Sequence, residues 1–168
     1  MRLPAVALGA LAFAGAPSMP VLSNHGVGEV RFGLPTARAV SQLDRFLGRP
    51  TRTFANTGCS PRYREVAWGR LVAEFRLGRF TGFRYLAGGW LGSARRTRAT
   101  GPRLATAKGI SLGSTLGQLR AAYGRLNLIG TDRWQTKDGL VFYDDAERDS
   151  PPSSSRIVEI KFGTCGDF

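Results

Sequence analysis

The residues best placed to do chemistry lie at Gly109-Ile110-Ser111-Leu112-Gly113, which match the pattern G-x-S-x-G. In hydrolases this pattern holds a serine on a strained strand-to-helix turn beside an oxyanion hole. Such a serine needs a histidine base. The only histidine is His25, far upstream and outside the Ser-Asp-His order of that mechanism. The pattern is therefore read as strand, break and helix start, and no catalytic residue is assigned. One His and two distant Cys cannot assemble a zinc set. Asp144, Asp145, Glu147 and Asp149 alternate along an acidic loop without the ligand spacing of a calcium loop, so a solvated loop is expected. No paired-carboxylate spacing argues for glycoside hydrolysis. No cofactor and no metal are expected.

Two other sets bear on binding. Phe83, Tyr85 and Trp90 crowd one strand and its exit, with Arg84 interleaved. Aromatic and arginine side chains together suit a protein-interface hot spot, or a stacking surface for nucleic acid. They equally suit a buried sheet face with arginine outside. Arg95, Arg96, Arg98 and Arg103 form the one local cluster of basic charge in a chain of formal net charge +12. That cluster would draw anionic envelope polymers. A GC-rich genome, which favours arginine codons, would also account for much of the excess, and nucleic acid is the less favoured partner.

Cys59 and Cys165 are the only cysteines. The first residues read as an export signal, with Arg2 ahead of an apolar run to Ala16 that is too short to span a bilayer. In an exported chain the two cysteines are expected to pair. Closing a loop of roughly 100 residues would contribute on the order of 4.7 kcal/mol. Secretion, or residence in the cell envelope, follows as the expected location.

The elements that must position these residues read as two similar units. Val27 to Phe32 reads as a strand, Gly33 breaks it, and Val40, Leu43 and Leu47 share one helix face before Gly48. Further on, Ile110 and Leu112 read as a short strand, Gly113 breaks it, Thr115 with Gln118 fits a capping box, and Leu116, Leu119 and Tyr123 share a face before Gly124. The glycine-to-glycine spacings of 15 and 11 residues differ by 4, close to one turn of about 3.6 residues. Within the first unit, Arg64 to Trp68, Leu71 to Phe75 and Phe80 to Leu86 read as an antiparallel meander with turns at Gly69 and Leu77-Gly78. Arg156 to Phe162 alternates as a last strand. The expected fold is α+β, a tandem repeat in which each unit is a short strand and helix packed on a small antiparallel sheet. Residues 1–16 would be the signal, 27–92 the first repeat, 93–103 a basic linker and 104–168 the second repeat.

The run I-x-L-G-S-T-x-x-x-L-x-x-x-Y-G at 110–124 resembles the signature of β-lactamase-inhibitor-protein-like and SmpA/OmlA-like modules. The segments VRFG, LGRP, GC, WGRL, GRFTGFRY, GISLGS, LRAAYG and TCG are similar to uncharacterised secreted proteins of high-GC Gram-positive bacteria. The resemblance implies export and a sheet with a concave, aromatic-rich binding face. This chain has one cysteine per unit where the inhibitor has a pair, so inhibition of a β-lactamase does not carry over. The expected function is that of an exported, non-enzymatic module binding a protein or envelope component through its sheet surface. The alternatives are a polyanion binder acting through the arginine cluster and a small carboxylate-dependent hydrolase.

Overall fold

The computed structural model describes residues 20–55, 63–88, 101, 103–146 and 150–163. The protein is mostly β. Strands β1 (Val21–Ser23), β2 (Gly26–Val27) and β3 (Val30–Arg31) precede helix α1 (Thr36–Leu47). Then come β4 (Arg52–Ala55), β5 (Tyr63–Trp68), β6 (Leu71–Arg76) and β7 (Arg79–Leu86). The later part holds β8 (Ala105–Thr106), α2 (Leu116–Tyr123), β9 (Asn127–Leu128), β10 (Arg133–Gln135), β11 (Val141–Asp144) and β12 (Ile157–Phe162).

These strands form two sheets, and this corrects the expected fold. The larger is one continuous eight-stranded sheet in the order β4-β5-β6-β7-β12-β11-β10-β9. It replaces the two separate small sheets expected, because β12 pairs with β7 through Glu159–Leu86, Ile160–Tyr85, Lys161–Arg84 and Phe162–Phe83. The smaller has four strands, β3-β2-β1-β8. It draws on both halves of the chain, since β1 pairs in parallel with β8. The arrangement gives no evidence of tandem helix-and-strand repeats. Local periodicity could not disclose these pairings, because it carries no information about which distant strand a strand meets.

Two local expectations also change. The strand expected over Val27 to Phe32 is a tight hairpin of β2 and β3, turned at Gly28 with φ of 59°. Ile110 and Leu112 form no strand; Ser111 makes only an isolated bridge to Ala105. The meander β5-β6-β7 follows the turns at Gly69 and Leu77-Gly78. The last strand also forms, over Ile157–Phe162.

The helices are held at their starts. At α2 the Thr115 hydroxyl accepts from the Gln118 N–H while the Gln118 side chain accepts from the Thr115 N–H, the reciprocal capping box. Pro35 precedes α1 without a side-chain cap. Instead the Thr36 N–H donates to the carbonyl of Gly78. Ala39 and Leu43 of α1 and Leu116 and Leu119 of α2 are buried against the large sheet. The sheet's inner face supplies Val66, Trp68, Leu71, Phe75, Phe83, Tyr85, Phe142 and Ile160 to the same core. Irregular register near Phe75 in the β6–β7 pair puts Phe80 on this face along with Phe83. A second irregularity, at Tyr143–Asp144, does the same for Ile157 and Ile160.

The junction of β7 with β12 leaves no room for side chains at one point. A Cβ on Gly82 would lie 2.5 Å from the carbonyl oxygen of Phe162 and 2.6 Å from that of Gly163. Gly82→Ala is expected to lower stability by about 1–3 kcal/mol, as forced overpacking does. Chemical denaturation would check this, and an unchanged midpoint would show that the junction is not closed as described.

Candidate functional site

Alternation along the strands sorts the large sheet into two faces. The outer face contributes nothing to the main hydrophobic core. It carries Tyr63, Glu65, Glu74, Arg84, Glu159, Lys161 and Tyr143, placed there by the register of β5, β6, β7, β12 and β11. Glu65 and Glu74 stand directly opposite one another. Like charges so placed repel. Arg84 resolves the conflict. Its Nη2 donates to Oε1 of Glu65 at 2.7 Å and its Nε donates to Oε1 of Glu74 at 3.0 Å. Gly82 lies opposite Glu74 on β7 and puts no side chain beside that carboxylate.

The side chains are exposed to 29% for Arg84, 12% for Glu65 and 2% for Glu74. Arg84 is thus partly open to solvent while its guanidinium is held by two carboxylates. The Tyr63 hydroxyl donates to Oε1 of Glu65 at 2.9 Å. Burial, and then the Glu74 and Glu65 carboxylates, raise the Tyr63 pKa well above its usual range. Burial alone would lower the Arg84 pKa, but Glu65, Glu74 and Glu159 outweigh it and raise it. Across the junction, Lys161 pairs with Arg84 and sets its ammonium 4.9 Å from the centre of the Tyr143 ring, a cation–π contact.

The residues singled out in the sequence fall in several places. Phe83 and Tyr85 are buried in the core, on the face opposite Arg84, and offer no surface to a partner. The Tyr85 hydroxyl accepts from the Leu104 N–H at 3.1 Å. Arg84 alone of that strand's set reaches the outer face. Trp90, Arg95, Arg96 and Arg98 lie outside the described residues, as do Cys59 and Cys165; Arg103 is exposed. Ser111 donates to the carbonyl of Leu104 at 2.6 Å, so its hydroxyl is a structural strut. His25 is exposed in the turn between β1 and β2.

In the acidic loop, Asp144 is buried and accepts from the Trp134 indole and from the Ala146 N–H. Asp145 accepts from the Arg156 N–H. Glu147 and Asp149 lie outside the described residues. Among the described residues no three His, Cys, Asp or Glu side chains gather as metal ligands. No described helix is long and apolar enough to cross a membrane.

Sequence reading missed Tyr63, Glu65, Glu74, Lys161 and Tyr143. A signal was present for one of them. Glu74 interrupts the apolar run Leu71-Val72-Ala73-Glu74-Phe75, and a carboxylate inside a strand of that kind requires a counter-charge.

Neither the family models, nor the curated proteins, nor the solved structures contain a match to this chain.

Two outcomes follow from the charge arrangement. Arg84→Met leaves two carboxylates opposed without a cation and should lower stability by about 3 kcal/mol. Adding Glu65→Gln and Glu74→Gln should restore most of that loss in urea unfolding; an equally unstable triple variant would mean that Arg84 acts through packing. The raised Tyr63 pKa has its own signature. The unfolded phenol ionises near the usual value of 10.0 and the folded one only at higher pH. The corresponding stability is present below about pH 10 and is lost as pH rises beyond it. Tyr123, raised by burial despite a hydrogen bond to Thr106 and with Asp138 adding to the rise, behaves likewise. Melting temperatures between pH 8 and 11 should fall more steeply for the wild type than for Tyr63→Phe, and parallel curves would contradict the assignment.

Proposed function

We propose that this chain is an exported, non-enzymatic binding module that engages a protein or cell-envelope component through the outer face of its large sheet. The observation that carries the reading is Arg84. It is partly exposed, fixed by two carboxylates, and set on a face whose residues stay outside the main hydrophobic cluster. A charge held in place before contact loses little conformational freedom on binding, which favours specific recognition. Glu159, on the neighbouring β12, and Tyr143, next to it on β11, are half-buried on the same face and supply a negative charge and an aromatic ring beside the cations Arg84 and Lys161. Interfaces with a few such anchors draw most of their energy from them.

The likeness of residues 110–124 to inhibitor-protein-like modules, whose sheets form a binding face, points the same way. The hydrolase reading gains no support, because Glu65 and Glu74 both hold the same guanidinium. The polyanion reading rested on Arg95, Arg96, Arg98 and Arg103, of which the first three lie outside the described residues and Arg103 is exposed.

Capture from an envelope fraction and from culture filtrate tests the proposal. The wild-type chain should retain a discrete partner, while Tyr143→Ala with Glu159→Lys should retain at least about tenfold less at a temperature where both forms are shown to be folded. Equal retention by both forms would remove the outer face from the function. Retention that disappears for both near physiological salt would favour the polyanion reading.

A further inference from the structure

The turn between β6 and β7 holds a residue that its geometry disfavours. Arg76 pairs with Arg79, so Leu77 and Gly78 form a two-residue hairpin loop. Their φ angles are 50° and 77°. Positive φ at both central positions marks a type I′ turn, where Asn-Gly is strongly preferred. Leu77 is the only non-glycine residue with positive φ among the described residues. Its Cβ crowds the backbone there, and it has no polar atom with which to offset that locally, as asparagine has. Burial gives no compensation either. Leu77 is 69% exposed, the highest value among the exposed large hydrophobic residues. A residue that is unfavourable both for its backbone and for its hydration, with no gain shown among the described residues, directs attention to a gain from a partner.

Beside this tip lies a pocket of about 400 Å³ lined by Ala55, Tyr63, Arg64, Phe75 and the Leu77-Gly78 turn, with Thr36 at its side. The charged side chains in the turn's flanks and the lining are Arg64, Arg76 and Arg79, all of one sign. Arg79 is fixed by donating to the carbonyl of Gly33 at 2.8 Å. An apolar projection flanked by Arg76 and Arg79, and a pocket lined by Tyr63, Phe75 and Arg64, together describe one kind of guest.

We propose that the Leu77 tip and its pocket are a docking site for an acidic segment of a partner protein that brings one large apolar or aromatic side chain. The guest side chain enters the pocket and packs on Leu77. The flanking carboxylates meet Arg64, Arg76 and Arg79. The site lies at the turn end of the sheet, where Tyr63 and Arg76 belong to the Arg84 face and Arg64 and Phe75 to the other.

The test uses the whole chain and a synthetic, end-capped peptide Gly-Asp-Asp-Phe-Asp-Asp-Gly, followed by nuclear magnetic resonance titration. Binding should shift the signals of Leu77, Gly78 and Arg64. Replacing the peptide's Phe by Ala, or its Asp by Lys, should weaken binding at least about tenfold. Leu77→Asn should weaken it by a similar factor while melting at or above the wild-type temperature, because asparagine suits the turn. Equal binding of the Phe and Ala peptides, or unchanged binding by Leu77→Asn, overturns the proposal. So does a Leu77→Asn chain that melts several degrees lower, since Leu77 would then serve its own fold. Leu77-dependent self-association in sedimentation, or saturable binding to anionic vesicles without peptide binding, would replace the acidic segment by a second copy or a lipid surface and equally overturn it.

Discussion

The pairing of β7 with β12 is the constraint on which the rest of the molecule depends. It joins strands that are distant in sequence at the middle of the large sheet. Without it the sheet falls into two four-stranded pieces, and the aromatic core loses its common floor. The pairing also requires two backbones to approach more closely than a side chain would permit. Gly82 meets the carbonyls of Phe162 and Gly163, and a Cβ on Gly163, which itself has φ of 63°, would run into the carbonyl of Thr81. Glycine at both positions is the condition for that approach. Its reward is a surface that neither half could assemble, with Arg84 on one side of the join and Lys161 on the other.

The two faces of the sheet are governed by different physics. The inner face is stabilised by area removed from water, and rings such as Phe32, Phe75 and Phe80 pack with centroids 4.9–5.6 Å apart. The outer face has nearly buried carboxylates, which no amount of apolar contact would stabilise. Its order comes from directed bonds to one guanidinium, whose planar fork can serve two acids at once. The irregularities in β7 and β12 keep the two systems apart. Strict alternation through those strands would have sent a phenylalanine or an isoleucine outward.

Much of the local structure was legible in the residues, and little of its assembly was. Gly69 and Leu77-Gly78 announced the meander, because tight turns are specified by the residues that occupy them. Thr115 and Gln118 announced the start of α2, since a capping box is a contact between near neighbours. The final strand was visible in its alternation. The hairpin at Gly28 was hidden because a two-residue strand is too short to show a period. The joining of β7 to β12 and of β1 to β8 was hidden because pairing partners leave no local trace. The similarity of two stretches suggested separate units, but the sheet runs through both. The aromatic strand was ambiguous for a related reason. Phe83 and Tyr85 share one face in either reading, and only the position of the helices decides that it is the inner one. The charged site required both the faces and the register, so Glu65 and Glu74 passed unnoticed.

The place of β12 has a consequence in time. It is the last strand in the described chain, yet it occupies a central position in the sheet. As the chain emerges from its N-terminus, β4 to β7 and then β9 to β11 become available before the strand that joins them. Until β12 arrives, β7 and β11 each present an open row of backbone donors and acceptors, a template for pairing with another chain. Closure at such sequence separation is slow compared with the formation of hairpins. The period of exposure therefore lasts until β12 has been made. A chain built in this way benefits from being kept unfolded until β12 is present, because the strand at the sheet's centre follows the strands that it joins.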